Sequence, residues 1–277
     1  MHDTHVHLEM LLTKLNLFED SRFFDPTQKV NLSNEAKIQL ADSLIAHDFV
    51  LQSTVSTDNY LLTSQIFEFL PKIKFFLGSH PDIVNDRFDL AQYLNYQKSI
   101  LDSVKDKIIG LGEIGLDYFH SQEKRIHLIQ RDLFASQIQL ALDYNLPIMI
   151  HCREAFEDIF GVLDTFPQIH GRFLIHCFTG NIKDLKNVLD RGGKVAFGGV
   201  STFKSAQELQ EAIVYCPLDS FVLETDLPFL APTPNRGKVC LPSMIQDTVD
   251  HLANLKNLTV KEVWQCSLSN TQSLFKL

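Results

Sequence analysis

Six residues of metal-ligating type stand at the ends of short apolar runs: His5, His7, Glu113, His151, His176 and Asp226. Side chains alternate along a strand, so His5 and His7 project the same way, and Asp3 joins them. A lone His-x-His pair is a weak signal, and a single histidine at the position of His151 or His176 reads as structural. Four histidines and two carboxylates at the ends of five different runs are much harder to explain by packing. Six ligands exceed what one tetrahedral ion needs while keeping a position open for water. They divide between two divalent ions with a carboxylate bridging them. Imidazole with carboxylate suits Zn²⁺ or Mn²⁺, with Mg²⁺ a further candidate. Two ions about 3.5–4 Å apart can activate water and stabilise a leaving oxygen, the arrangement typical of phosphoester hydrolysis.

Something must bring these distant residues together. Apolar runs predict eight strands, near 2–8, 48–55, 74–79, 107–113, 147–152, 172–178, 194–198 and 220–226. Between them, 126–144 and 182–192 space their apolar residues three and four apart, as amphipathic helices do. Segments 242–255 and 259–277 also read as helical. Alternating strand and helix predicts an α/β fold, a (β/α)8 TIM barrel over residues 1–277 as one domain. In such a barrel every C-terminal strand end opens on one face, where active sites lie. The irregular stretch at about 9–34 predicts an extended loop after the first strand, with room for a short helix.

Composition narrows the setting. The 277 residues carry a formal net charge of −9, which argues against broad adhesion to a polyanion and confines any basic patch to a local one. Five scattered cysteines without a CxxC pair suit a reducing compartment. No run is long and apolar enough to span a membrane, and the N-terminal segment lacks the basic-then-apolar order of a signal peptide. A cytoplasmic enzyme is expected, with no membrane association and no obligate protein partner inferable. Strand alternation turns Cys152 and Cys177 away from their histidine neighbours, toward the layer between barrel and helices.

Other polar residues could touch substrate. Arg153 follows His151 by two and shares its face, and Arg236 lies in the loop after the last strand. Both are phosphate-binding candidates, with pairing of Arg153 to Glu154 or Asp117 as the plainer reading. Gly198 and Gly199 would let backbone approach a phosphate near the loops after strands seven and eight. Asp117 and Tyr118 fit either substrate contact or loop anchoring. His80, ending the third strand, is expected to line the pocket without binding metal.

With these residues assembled, the chain resembles the TatD family of metal-dependent deoxyribonucleases, within the amidohydrolase-like barrels. The resemblance rests on DTHVHLE at 3–9, GLGEIGLDY at 110–118, PIMIHCREA at 147–155, LIHCFTG at 174–180, ETDLPFLAPTPNRG at 224–237 and SNTQSLF at 269–275. It implies a two-metal barrel in which His5, His7, Glu113 and Asp226 hold one ion. Glu113, His151 and His176 then hold the other, with Glu113 as the bridge, and Asp226 orients or deprotonates the attacking water. It also implies DNA strand ends as substrate and exonucleolytic hydrolysis of phosphodiesters. Glu9 stands where the family usually has Asp, HPD at 80–82 replaces HPH, RGKVCLP lacks an Asn near Cys240, and the first loop is longer. None of these touches an expected ligand. A metal-dependent amidase or deacylase is the alternative, although many such barrels bridge with a carboxylated lysine where this chain has Glu113. A non-catalytic binding barrel would have no need of all six ligands.

Overall fold

The computed structural model describes residues 1–18 and 30–277. Eight strands form: β1 His2–Val6, β2 Phe49–Gln52, β3 Ile73–Leu77, β4 Ile108–Asp117, β5 Ile148–Arg153, β6 Phe173–Ile175, β7 Lys194–Phe197 and β8 Phe221–Leu223. They pair in sequence order, each parallel to the next. The ring closes where Val6 bridges Leu227, Asp226 N–H donates to His5 O, and His7 N–H donates to Leu227 O. The (β/α)8 barrel expected from the sequence is therefore the observed fold.

The helices are α1 Leu8–Lys14, α2 Asn34–Ser43, α3 Thr57–Ile66, α4 Leu90–Val104, α5 Lys124–Asp143, α6 Phe156–Asp164, α7 Ile182–Asp190, α8 Gln207–Tyr215, α9 Ile245–Lys256 and α10 Val260–Phe275. Local chemistry starts several of them. Asn181 with Asp184, and Thr259 with Glu262, form reciprocal capping boxes that satisfy the first amides of α7 and α10. Helix α1 occupies the start of the predicted 9–34 loop and α2 begins at its end. Residues 19–29 lie outside the described residues, and the loop expectation there goes no further. Among the described residues, no helix is long and apolar enough to cross a membrane.

The barrel interior is packed solid. Leu51, Phe76, Met149, Leu174, Ala196 and Val222 point inward from six strands, and Leu274 and Phe275 of α10 join them. Phe275 meets Phe76 edge-on at 5.1 Å between ring centroids. This packing fills the barrel below the opposite mouth, at the C-terminal strand ends, and Met149 sits directly beneath the histidines there.

Helix α10 is also tied to β1. His2 Nε2 lies 2.7 Å from Ser267 Oγ, which accepts the Leu223 amide. Burial lowers the imidazole of His2 to about 4, and that of His47 likewise to about 4. The unfolded chain takes up these protons near 6.5, whereas the fold resists them until about 4. Stability from this source is thus present above about pH 6.5 and lost as pH falls to about 4. We expect His2→Phe to flatten that loss by on the order of 2 kcal/mol, measured by urea unfolding at pH 7 and pH 4.5. An unchanged pH slope in the variant would remove His2 as its source.

Candidate metal centre

β1 and β8 together place three of the six residues. His5 and His7 share a face as alternation requires, and their Nε2 atoms stand 3.0 Å apart. Asp3 accepts the His5 amide, the Thr225 amide and the Thr225 hydroxyl, which knots β1 to the segment after β8. Burial lifts the Asp3 carboxyl to about 7. Asp226 follows with φ 58°, a conformation that costs a non-glycine residue free energy and recurs at functional sites. Its Oδ1 stands 3.6 Å from His5 Nε2 and 3.7 Å from His7 Nε2.

Glu113 sits between two pairs of imidazoles. Its Oε2 is 3.3 Å from His5 Nε2 and 3.5 Å from His7 Nε2. Its Oε1 is 2.8 Å from His151 Nδ1 and 2.8 Å from His176 Nε2. The register of β4 on β5 slips between Leu111 and Ile114, at the point where Glu113 enters the site. Glycine is needed alongside, because a Cβ at Gly78 would overlap the backbone of Gly112.

Outer contacts fix which ring atom faces inward. His5 Nδ1 lies 3.1 Å from Ser53 Oγ, whose own proton points to Met149 Sδ at 3.2 Å. His5 therefore donates from Nδ1 and turns a bare Nε2 to the site. His151 Nε2 lies 3.0 Å from Asp117 Oδ2, which leaves Nδ1 for Glu113. Asp117 is itself held by the amides of Phe119 and His120. Glu224 was not singled out from the sequence, although it opens the ETD segment. It is fully buried, accepts the Cys177 amide, and stands 3.8 Å from His176 Nδ1.

The charge balance calls for cations. Burial pushes the Glu113 carboxyl up, but His176, His5 and His80 outweigh it and hold the group well below its usual range. Burial likewise opposes protonation of His7 and His151. Contact with Glu113 nevertheless carries His7 to about 9, and contact with Asp117 and Glu113 carries His151 to about 9. A divalent ion answers the same demand with the rings neutral. His7 Nδ1 and His176 Nδ1 are buried without hydrogen-bond partners, and His151 Nδ1 and His176 Nε2 converge at 3.3 Å. Donor atoms of His5, His7 and Asp226 lie within coordination reach of one another, as do those of Glu113, His151 and His176. Such a set of imidazole nitrogens and carboxylate oxygens fits Zn²⁺ or Mn²⁺.

All six expected ligand residues thus meet at one mouth, though four of the strand ends differ from expectation, β1 among them because it stops at Val6, before His7. β4 runs on to Asp117, so Glu113 is mid-strand, while β6 and β8 stop before His176 and Asp226. A cavity of about 610 Å³ opens above the group and is lined by His80, Asp117 and Arg153 among others. Arg153 pairs with neither Glu154 nor Asp117 among the described residues. Its guanidinium lies 3.8 Å over the Phe119 ring. Tyr118 is not part of the cavity lining: its hydroxyl donates to Asp158 and its ring stacks on His127, so it anchors the loop. Arg236 lines a different cavity and stacks on Phe203. The approach expected at Gly198–Gly199 is to protein, since a Cβ at Gly199 would overlap the Leu230 carbonyl. Cys152 lies in the barrel–helix layer as expected. Cys177 does not follow alternation, because it stands past the end of β6 at φ 42°; burial, then Asp226 and Glu224, raise its thiol.

The sequence matches the family described as TatD related DNase over residues 2–276. It is 31% identical over 229 residues to YcfH of Escherichia coli K12, described as an uncharacterized metal-dependent hydrolase, covering 83% of each chain. It is 29% identical over 288 residues to human TATDN2, described as a 3'-5' RNA nuclease, covering 99% of this chain and 35% of that one. The crystal structure of YjjV, a TatD homologue from E. coli K12, shares the fold with a TM-score of 0.83 at 23% identity. That match covers 100% of this chain and 98% of YjjV.

Proposed function

The chain belongs to the TatD-related DNase family of metal-dependent hydrolases, and from that premise we propose that it removes nucleotides from the ends of DNA strands using two divalent ions. One observation carries the reading: the two oxygens of Glu113 face two separate pairs of imidazoles. A carboxylate so placed would be shared between two cation sites, one that His5, His7 and Asp226 would hold and one that His151 and His176 would hold. Bound there, the ions supply Lewis acidity and charge neutralisation for phosphoryl oxygens.

The chain's own residues do the rest. Asp226, the one of these two carboxylates that reaches the cavity surface appreciably, accepts the proton of the attacking water at Oδ. Asp117 keeps the His151 ring in place. Arg153, spread over Phe119 at the cavity wall, directs its edge N–H groups at a phosphate, which planar guanidinium suits. The exposed rings of Phe119 and Phe229 offer faces for terminal bases.

Strand ends are favoured because the site is a cup at the mouth of a closed barrel. A 3'-5' nuclease among the relatives supports action at an end, and makes RNA a substrate to be tested beside DNA. The deciding experiment incubates Mn²⁺-loaded protein with linear and closed circular single-stranded DNA, linear RNA, and a panel of small esters and amides. Shortening of linear DNA with circles resistant is expected. Equal cutting of circles ends the end-binding reading, and hydrolysis of an amide alone hands the site to the deacylase reading. Arg153→Ala is expected to raise KM about tenfold while leaving kcat within a few-fold, the pattern of lost ground-state binding. A kcat loss with unchanged KM would move Arg153 out of the phosphate role.

A further inference from the structure

The cavity over the candidate centre has a basic neighbour. Phe229 and Leu230, in the loop after β8, line both. The second cavity, of about 480 Å³, is lined by Lys14 at the end of α1, by Arg236 and by Lys238, and by no carboxylate among the described residues. In a chain with 34 acidic against 25 basic residues, three cations gathered with no acid beside them among the described residues run against the composition. Gathering them has an electrostatic cost that an anion would relieve. The first cavity shows the opposite pattern, with Asp82, Glu113, Asp117 and Asp226 in its wall.

The cations are free to act. Among the described residues Lys14 has no hydrogen-bond or ion-pair partner. Arg236 uses its flat face on Phe203, 4.2 Å from the ring centroid, which leaves the edge N–H groups of the guanidinium available. Lys238 gives one proton to Asn235 Oδ1 at 3.1 Å and keeps two. Between the cavities, the ring of Phe229 stands edge-on to His7 at 6.3 Å and is 43% exposed, a surface on which a base can stack.

We propose that the second cavity is a phosphate subsite for the same strand. A strand whose scissile phosphodiester lies at the candidate centre passes over Phe229 and sets its next phosphate among Lys14, Arg236 and Lys238. The inference rests on the nuclease reading for its substrate, and it predicts that the protein measures strand length. A dinucleotide, with one phosphodiester, fills only the first cavity, whereas longer strands fill both.

The test uses the purified protein and a labelled, phosphorothioate-linked tetrathymidylate, followed by fluorescence anisotropy at several salt concentrations. Lys14→Glu and Lys238→Glu are each expected to weaken binding about tenfold, the worth of a charge-assisted contact. Each should also lower the salt slope by about 0.7, the share of one phosphate contact on a single strand. Lys261→Glu, an exposed change on α10, should do neither, and Lys14→Ala should fall between wild type and Lys14→Glu. In turnover, the tetranucleotide-to-dinucleotide ratio of kcat/KM should drop toward one in Lys14→Glu. The proposal is overturned if the two cavity variants bind like Lys261→Glu, or if the length ratio is unchanged in Lys14→Glu. If no strand of any length is cut while the binding differences hold, the nuclease reading fails and the phosphate subsite stands.

Discussion

Glu113→Ala is expected to empty both halves of the candidate centre, whereas His176→Ala empties one. The reason is geometric. Oε1 of Glu113 stands 2.8 Å from both His151 Nδ1 and His176 Nε2, and Oε2 stands 3.3 and 3.5 Å from His5 and His7 Nε2. Removing this carboxylate takes a ligand from each half and the negative charge that five histidines, His80 included, surround. The loss of affinity should exceed the roughly 10–100-fold that follows loss of an outer partner of a metal ligand. Glu113→Gln keeps the side-chain volume, so it separates loss of the charge from any failure of the barrel to fold. Elemental analysis of both variants beside His176→Ala decides the matter. Two ions retained in Glu113→Ala would sink the bridging assignment.

Asp226→Asn is the second large effect, at least roughly 10²-fold in kcat under saturating Mn²⁺, as for a lost general base. The substitution suits the backbone, because Asp226 sits at φ 58° and Asn is among the few residues that adopt that region readily. Fold and partial coordination should therefore survive, and with metal saturating the main loss is of basicity. Burial raises the carboxyl of Asp226 in the metal-free protein. Its neighbour Glu224 is also raised by burial, but it is sealed from the cavity and cannot substitute. Single-turnover rates with metal content measured on the same samples are the check. A variant with full metal and near wild-type rate would show that the attacking water needs no help from this residue.

The sequence by itself determined the barrel and the six residues at its mouth. Eight apolar runs separated by helical patterning leave few other ways to bury both faces of the strands. The period of two along HDTHVH put His5 and His7 on one side without any knowledge of neighbours. What the sequence could not determine were facts that depend on pairing partners. β4 extends to Asp117 because β5 stays hydrogen-bonded to it as far as Arg153, which moves Glu113 from a strand end to mid-strand. β6 and β8 stop early, so alternation no longer governs Cys177 or Asp226, whose positive φ angles turn their side chains. Tyr118 and Arg236 lie close in sequence to site residues, yet Asp158 and His127 hold the one and Phe203 the other. Glu224 is legible only as one acid in a motif until the fold brings it to the Cys177 amide and the far side of His176. Lys14 lies 222 residues before Arg236, and no local pattern joins them. Only ring closure between β1 and β8 sets the end of α1 beside the loop after β8, making one cavity from the segments that follow the first and last strands.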